Sequence, residues 1–270
     1  MFKLLLSLLL ALSLCLPASC EETSGYLYMI NFGKGDAIIV NVSGRAYLID
    51  TGKADAWENV EAALARLGIA ELEAVFLTHT DKDHAGGLKK LSKSDIAVGR
   101  WYASAFYTCD YDKHKIVDAA SRQKQEVCFL KAGDTVDGIF QVLAPSVYSA
   151  DEDDNSLVMM LVLPGLRTLL TGDMEASEEA LLLRSGADLK CDIFKVPNHA
   201  DDDVCKSLDL ARLGAKIALI STDPYEKPGT PDPLLLERLK QAGMEIYRTD
   251  LSTLGIRVDF GPDGIIASIE

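Results

Sequence analysis

The segment THTDKDHAGG, residues 78 to 87, carries two histidines and two aspartates within six positions, directly after the apolar stretch LEAVFL. A buried strand that ends in imidazole and carboxylate side chains predicts a metal site, because zinc, manganese and iron bind these ligand types. Positions two apart point the same way in an extended turn, so His79 and Asp81 are predicted to share one ion. Asp83 and His84 then reach around the turn to a second ion.

Strand and helix signals alternate along the rest of the chain. The apolar stretches YLYMINF, AIIVNV and AYLID predict consecutive strands joined by tight turns. Apolar residues at helical spacing predict helices over residues 54–67, 177–185 and 233–242, and AGGLKKLSK resembles a helix start. Further strands are predicted at SLVMMLVL, TLLTGD, CDIFKV and IALIST, and EIYRTD, GIRVDF and IIASIE are expected to close a second sheet. The pattern therefore predicts an α/β (α+β) fold of two face-to-face sheets with helices outside.

The first twenty residues, MFKLLLSLLLALSLCLPASC, have the layout of a secretory signal peptide, which predicts an extracellular or cell-surface protein. Residues 21–270 are then a single domain. A membrane anchor is the alternative, but the apolar run is shorter than the about 20 residues that a spanning helix needs. Cys20 is either the lipidated N-terminus of a lipoprotein or the end of the leader of a freely secreted protein. A lipid on Cys20 would be the only membrane contact.

Acidic residues outnumber basic ones by 41 to 27, which gives a formal net charge of −14. Lys3 is the only charged residue in the predicted signal peptide, so the mature chain keeps 26 basic residues and a formal charge of −15. This balance disfavours a broad nucleic-acid-binding surface. A metal site still supplies local positive charge, so a small phosphodiester remains an acceptable substrate.

The mature chain retains four cysteines, at positions 109, 128, 191 and 205. An even number in an exported protein predicts two disulfides, although four cysteines permit three pairings. Cys191 and Cys205 flank the segment VPNHA, so we expect these two to pair and to hold that loop. Cys109 and Cys128 would then form the second bridge.

The pattern H-x-D-x-D-H after a strand resembles the H-x-[HD]-x-D-H signature of the metallo-β-lactamase superfamily. More narrowly, the chain resembles the extracellular hydrolase-like domain of the competence protein ComEC. The segments NFGKGDAIIV, YLIDTG, DNSLVMMLVL, TLLTGDME, FKVPNHA and PGTPDPLLLERLKQAGMEIYRTD follow in the order of that group, over nearly the whole mature chain. The resemblance implies a metallo-β-lactamase-like αββα sandwich of two mixed sheets with outer helices.

The same resemblance implies a complete ligand set for two divalent metal ions, zinc or manganese. Asp173 in TGDM would bridge the ions, and His199 in PNHA would complete the shell of the second. The implied set is therefore His79, Asp81, Asp83, His84, Asp173 and His199, with Asp83 also acting as the catalytic base that orients the water. An aspartate at position 81 makes the first site harder than two imidazoles would, which favours manganese over strict zinc.

Two positions depart from the ComEC-like pattern. The chain has Asn198-His199-Ala200 where the group has His-His-Gly, and Gly229-Thr230-Pro231 where it has Gly-His-Pro. The second change removes a histidine that would contact the substrate or assist proton transfer. These changes bear on activity and leave the predicted fold unaffected.

Three further residues are candidates for substrate binding. Two charged segments of the chain are not assigned to substrate binding. Lys195 and Thr230 are predicted to meet the substrate, and Asn155 either touches a substrate oxygen or caps the turn before its strand. The acidic run DEDD, residues 151–154, is read by default as a solvated loop, with a divalent-ion site or a rim that repels polyanions as alternatives. His114, in the charged run DYDKHK, is predicted to be a surface histidine.

The resemblance implies an exported metal-dependent hydrolase, of the phosphodiesterase or nuclease-like kind, that uses a water activated by two metal ions. Hydrolysis of lactam or thioester bonds is the alternative among enzymes. A non-catalytic, metal-stabilised surface binding module is the alternative from another class, and the absent histidines at positions 198 and 230 favour it. The expected substrate is a small phosphodiester, since long nucleic acid is disfavoured by charge.

Overall fold

The computed structural model of the protein describes residues 23–106 and 115–270. The predicted signal peptide, Cys20, Cys109 and His114 lie outside the described residues, so these predictions stay predictions. Along the chain the strands are β1 (Gly25–Ile30), β2 (Ile38–Val42), β3 (Arg45–Ile49), β4 (Glu71–Leu72), β5 (Ala74–Leu77), β6 (Ala97–Val98), β7 (Trp101–Ser104), β8 (Val127–Leu130), β9 (Thr135–Val136), β10 (Phe140–Ala144), β11 (Val158–Leu163), β12 (Leu166–Leu170), β13 (Ile193–Lys195), β14 (Ile217–Ile220), β15 (Glu245–Arg248), β16 (Gly255–Gly261) and β17 (Gly264–Ile269). The helices are α1 (Trp57–Arg66), α2 (Lys82–Ala85), α3 (Leu88–Leu91), α4 (Lys115–Arg122), α5 (Ala176–Ser185), α6 (Leu210–Leu213) and α7 (Pro233–Gln241).

Within the described ranges, the strands form two large mixed sheets and one small pair. The first sheet has the order β17-β16-β1-β2-β3-β5-β7-β8, and the second has the order β15-β14-β13-β12-β11-β10-β9. Strands β4 and β6 pair separately. Antiparallel meanders join parallel segments in both sheets: β2 to β3 is antiparallel and β3 to β5 parallel, while β11 to β12 is antiparallel and β12 to β13 parallel.

Three apolar clusters define the layers of the fold. Between the sheets, Phe140 of the second sheet packs against Tyr47 and Phe76 of the first, with ring centroids 5.1 and 5.0 Å apart. A second cluster joins the outer face of the first sheet to helices α1, α3 and α4. A third joins the outer face of the second sheet to α5, α6 and α7. The layers therefore run helix, sheet, sheet, helix, and the predicted αββα sandwich is confirmed.

The last two strands were predicted for the second sheet, and this prediction is wrong. β16 pairs antiparallel with β1, from Gly25 opposite Phe260 to Ile30 opposite Gly255, and β17 pairs with β16 at the edge of the first sheet. Ile256 and Val258 on β16 face the core between the sheets. Alternating apolar residues identify a strand and its buried face, but they do not identify its partner.

The helices largely follow the predicted ranges. α1 begins at Trp57 rather than at residue 54, and α5 and α7 match the expected segments within one residue. At α7, Asp232 accepts hydrogen bonds from the backbone N–H groups of Leu234 and Leu235, with Pro233 in the first turn, which is a favourable helix start. None of the helices in the described part of the chain has the length and apolar character needed to cross a membrane.

The Gly86-Gly87 pair fixes the short helix that carries the opening motif. A Cβ atom on Gly86 would lie 2.4 Å from the Lys82 carbonyl oxygen and 2.5 Å from the Ala54 nitrogen, and one on Gly87 would lie 2.4 Å from the Thr51 oxygen. Only glycine permits this approach of backbone to backbone. The pair therefore lets α2 and α3 pack directly on the loop that follows β3.

The predicted Cys191–Cys205 disulfide is wrong, because both residues are free thiols. They are buried in the apolar cluster between the second sheet and its helices, where they pack as small apolar side chains. Burial raises the pKa of Cys191 to about 12 and raises the pKa of Cys205 as well, so neither forms a reactive thiolate at neutral pH. Cys128 is exposed on β8, and its expected partner lies outside the described residues.

Candidate metal centre

The six predicted ligands meet at one edge of the sandwich, where strands from both sheets end. His79 lies two residues beyond β5, Asp81 precedes α2, and Asp83 and His84 lie within it. From the second sheet, Asp173 follows β12 and His199 lies in a 3₁₀ turn after β13. The role of these residues as ligands stays a prediction, but their side chains occupy one common site.

Asp173 is at the centre of this cluster. Its Oδ2 atom lies 3.1 Å from His84 Nε2 and 3.0 Å from His199 Nε2. His199 Nε2 also lies 3.6 Å from Asp83 Oδ2. The rings of His79 and His84 are 4.1 Å apart between centroids. One carboxylate thus reaches an imidazole from α2 and another from the turn after β13, as a bridging ligand would.

All three imidazoles are held through Nδ1, which leaves Nε2 directed at the cluster. Thr78 Oγ1 lies 3.0 Å from Nδ1 of His79, Asp50 Oδ2 lies 2.8 Å from that of His84, and the Ser221 carbonyl oxygen lies 2.9 Å from that of His199. Asp50, in the segment DTG, was not singled out from the sequence; it is fully buried and also accepts hydrogen bonds from Thr78. Anchoring one ring nitrogen orients the other for metal binding.

Two of these Nε2 atoms have no hydrogen-bond partner among the described residues. They belong to His79 and His199, both fully buried. His199 Nε2 approaches Asp173 Oδ2 closely but without the direction of a hydrogen bond. A buried nitrogen without a partner is costly unless another group binds it. The two atoms therefore fit a metal ion that binds at this cluster.

The donor atoms are also close enough to share ions. Three groups each place their ligand atoms within 4.8 Å of one another, namely His79 with His84 and Asp173, Asp83 with His84 and His199, and His79 with Asp81 and Asp153. Imidazole and carboxylate donors suit zinc and manganese. The residues present thus fit the divalent ions that the fold implies, and the groups overlap in the way that two neighbouring ions would need.

Asp153 is a candidate site residue that the sequence interpretation did not single out, although a divalent-ion site was one alternative for the acidic run that contains it. Its Oδ1 atom lies 3.3 Å from His79 Nε2, and its side chain is 23% exposed. Burial and then the negative charges of Asp173, Asp81 and Glu175 raise the pKa of Asp153 to about 8. Such crowding of carboxylates is relieved by a bound cation. Asp153 therefore belongs with His79 and Asp81.

The acidic run that contains Asp153 is not a solvated loop, so the default interpretation of residues 151–154 is wrong. Glu152 accepts hydrogen bonds from the backbone N–H and the hydroxyl of Thr80. Asp154 is buried and accepts a hydrogen bond from the Glu178 N–H in the first turn of α5. Only Asp151 in this run is an exposed residue. Glu152, Asp153 and Asp154 thus make three different contacts, which the composition of the run does not reveal.

Charge in the cluster is distributed unevenly. Burial opposes ionisation of Asp83, but His199, His84 and Lys34 outweigh it and lower the pKa of this carboxyl. Burial and the neighbouring His84 lower the pKa of His79, which favours the neutral imidazole that binds metal. Near pH 7 the cluster therefore presents an ionised Asp83 and a neutral His79, whereas neighbouring aspartates outweigh burial and raise the pKa of both His84 and His199.

The backbone around His199 is strained. Asn198, His199 and Ala200 have positive φ angles of 39°, 54° and 62°. Residues other than glycine rarely adopt this left-handed region, and such strain concentrates at functional sites. Ala200 stands where the ComEC-like pattern has glycine, so this chain keeps the turn without the residue that adopts it most easily.

The three residues predicted to bind substrate are all buried. The Asn155 side chain bonds the backbone of Ser149 and Asp151, which is the turn-capping alternative. The Thr230 hydroxyl donates to the Lys227 carbonyl oxygen at 2.8 Å. Lys195 is fully buried, so its ammonium lies behind the cluster rather than on its open side. Each of the three side chains is already bonded within the protein, and substrate binding by them stays a prediction.

We expect Asp153→Asn to weaken the binding of one metal ion by at least about tenfold, because the neutral amide is a poorer ligand than the carboxylate. Metal content after dialysis, measured by mass spectrometry, tests this. Asp151→Asn is the matched control, because it removes the same charge from an exposed residue of the same run. Equal metal content in both variants and the parent protein would remove Asp153 from the site.

The chain is similar to segments of longer competence and recombination proteins. ComE operon protein 3 of Bacillus subtilis (strain 168) is 28% identical over 253 residues, which are 86% of this chain and 32% of that protein. Competence protein ComA of Neisseria gonorrhoeae is 25% identical over 239 residues, with 87% and 32% covered. Recombination protein 2 of Haemophilus influenzae is 27% identical over 206 residues, with 74% and 24% covered. The chain spans a third or less of the length of these curated relatives, and the resemblance to competence proteins is confirmed.

Solved structures and a family description agree on the fold. The metallo-beta-lactamase fold protein YhfI from Bacillus subtilis has a TM-score of 0.57 at 14% identity, covering 88% of this chain and 100% of that chain. Igni18, a metallo hydrolase from Ignicoccus hospitalis, has a TM-score of 0.53 at 15% identity, covering 87% and 98%. The description of the metallo-beta-lactamase superfamily matches residues 30–222, a range that contains all six predicted ligands. The chain therefore belongs to the metallo-β-lactamase superfamily.

Proposed function

We propose that this protein is an exported hydrolase of small phosphodiesters that depends on two divalent metal ions. The observation that carries the proposal is the convergence of three anchored imidazoles and four carboxylates, with two buried Nε2 atoms that have no hydrogen-bond partner in the described ranges. Relatives named for competence and recombination support phosphodiesters as the substrate class. The signal-like N-terminal sequence supports export.

The proposed ligands divide into two sets that share Asp173. His79, Asp81 and Asp153 would hold the first ion, and Asp83, His84 and His199 the second. When bound, the ions supply Lewis-acid stabilisation of the phosphoryl oxygens and lower the pKa of a nearby water.

The proposed ligands differ in exposure, with buried side chains on one side of the site and exposed ones on the other. His79, His84, His199 and Asp173 are buried, whereas Asp81 is exposed and Asp83 is partly exposed. Water and substrate therefore reach the cluster from the side of these two carboxylates. Asp83 is ionised at neutral pH, and its lowered pKa makes it a weak base, so its carboxylate oxygen would orient an attacking water by accepting a hydrogen bond from it.

We expect metal-loaded protein to hydrolyse bis-p-nitrophenyl phosphate with manganese, and to degrade duplex DNA weakly or not at all at physiological salt. The acidic chain lacks the many lysine and arginine contacts that supply affinity for long nucleic acid, while the metal site can hold one phosphate. Release of nitrophenolate and gel analysis of DNA measure the two activities. Metal-stripped protein is the control.

The same assay separates the alternatives. Hydrolysis of a lactam or thioester reporter without any phosphodiester cleavage would replace the proposed substrate class. Absence of all three activities in protein that holds its metal would favour the non-catalytic binding module. Efficient cleavage of long DNA would contradict the charge argument but not the reaction type.

A further inference from the structure

Lys34 places a positive charge inside the proposed metal centre. It lies in the loop between β1 and β2, and its Nζ atom is 2.5 Å from Asp83 Oδ2. The same oxygen is 3.6 Å from His199 Nε2. Both the lysine and the aspartate are mostly buried, with side-chain exposures of 22% and 18%. An ammonium group therefore already occupies one side of the carboxylate oxygen that faces the second set of proposed ligands.

The backbone of this loop is fixed against Asp83. The Asp36 N–H donates to the Asp83 carbonyl oxygen at 3.1 Å. A Cβ atom on Gly35 would lie 2.5 Å from that carbonyl oxygen, and Gly35 has a φ of 128°, so the close approach depends on glycine. The backbone contacts of this loop therefore place Lys34 beside Asp83.

A divalent ion held by His199 and by Oδ2 of Asp83 would share that oxygen with this ammonium or displace it. Two positive charges a few ångströms apart repel each other strongly in a partly buried site. We infer that Lys34 competes with the second metal ion for Asp83, so that the protein binds its two ions with unequal affinity. This inference rests on the proposed two-ion function. It specifies which residue lowers the affinity for the second ion.

The first set of ligands has no comparable competitor. Among the described residues, neither Asp81 nor Asp153 forms an ion pair with a lysine or an arginine. The amide of Asn198 donates to Asp153 at 3.4 Å, and an amide carries no charge that would oppose a cation. We therefore expect the first ion to be the tighter one, because Lys34 forms its ion pair with Asp83, whereas it interacts with Asp173 and Asp153 only from beyond ion-pair distance.

The chain offers a matched control for the charge of Lys34. Lys53 has nearly the same side-chain exposure, 21%, and its Nζ atom lies 2.6 Å from Glu226 Oε1. This pair lies outside the groups of proposed ligands. Lys53→Gln removes the same charge from a similar ion pair, so it separates a local effect at Asp83 from a general change in net charge.

The test is calorimetric titration of manganese into the metal-stripped mature chain, compared with Lys34→Gln, Lys34→Met and Lys53→Gln. We expect two unequal binding events in the parent protein, and we expect both Lys34 variants to tighten the weaker event by about tenfold or more. A parent that binds one ion and a Lys34→Gln variant that binds two would support the same inference. Lys53→Gln should titrate as the parent does.

Two other outcomes overturn the inference and remain distinguishable. If the parent binds two ions and neither Lys34 variant alters the weaker event, or Lys53→Gln alters it equally, Lys34 does not compete and the two-ion site stands. If the parent and the Lys34 variants all bind at most one ion, the proposed two-ion function fails together with the inference. Thermal melts of each variant show whether the chain is folded.

Discussion

The double variant Asp83→Ala, His84→Ala is expected to lose phosphodiesterase activity by about a thousandfold or more while staying folded. The substitutions remove the carboxylate and the imidazole that α2 contributes to the second set of ligands. Lewis-acid stabilisation is worth several kcal/mol, and each 1.36 kcal/mol is a factor of about ten in rate. Hydrolysis of bis-p-nitrophenyl phosphate at saturating manganese measures the loss.

The fold should survive this change because neither residue belongs to the apolar clusters that join the layers. Asp50 loses its contact with His84 but keeps the N–H and hydroxyl of Thr78 as donors. Asp55→Ala, at an exposed aspartate just before α1, is the control for loss of an acidic side chain. Circular dichroism and melting confirm folding. A folded double variant with more than a tenth of the parent activity would remove both residues from the reaction.

Lys195→Met is expected to lower the free energy of unfolding by about 3–5 kcal/mol in metal-free buffer, because it leaves buried carboxylates without their counter-ion. The Lys195 ammonium is fully buried, 2.5 Å from Asp36 Oδ2 and 3.4 Å from Asp173 Oδ1. Burial opposes its charge, but the two aspartates outweigh burial and raise the pKa of the lysine. Denaturant unfolding gives the measurement.

Two companion variants identify the cause of that loss. Lys190→Met removes an exposed lysine five residues earlier and should change stability by no more than about 0.5 kcal/mol. Adding Asp36→Asn to Lys195→Met removes one of the unpaired charges, so the double variant should regain part of the lost stability. If Lys195→Met has the same free energy of unfolding as the parent, the buried ion pair does not stabilise the fold around Asp173.

Asp36 also accepts a hydrogen bond from the Ser221 hydroxyl, and that hydroxyl contacts His199. Lys195 and Asp36 therefore contact the buried side of two proposed ligands, Asp173 directly and His199 through Ser221.

The common location of the six proposed ligands could be predicted from the sequence, because each follows an apolar strand and because the family resemblance adds Asp173 and His199 to the set. In H-x-D-x-D-H, one strand end and one helical turn place four side chains together, so local geometry is sufficient. Asp173 and His199 follow β12 and β13, which are adjacent parallel strands whose ends meet at one edge. The layer order of the fold follows from the same alternation of strands and helices.

Other features depend on contacts between distant segments, which no local pattern records. Asp153 is one of four acidic neighbours, and only the approach of His79 separates it from Asp151. The pairing of β16 with β1 joins the two ends of the chain, and alternation on β16 suits either sheet. The cysteines at 191 and 205 flank a loop in sequence, yet both are packed in an apolar layer as thiols. The sequence gives no sign that Lys34 differs from an ordinary loop lysine, because its contact with Asp83 joins two distant segments.

The central claim is that two ions bind where the two sheets end, and anomalous scattering from manganese-soaked crystals tests it most directly. Two peaks about 3.5–4 Å apart are expected, as in other two-metal sites. One should contact His79, Asp81 and Asp153, the other Asp83, His84 and His199, with Asp173 between them. No peak at this edge, or peaks only at surface acidic residues such as Asp202, would contradict the account.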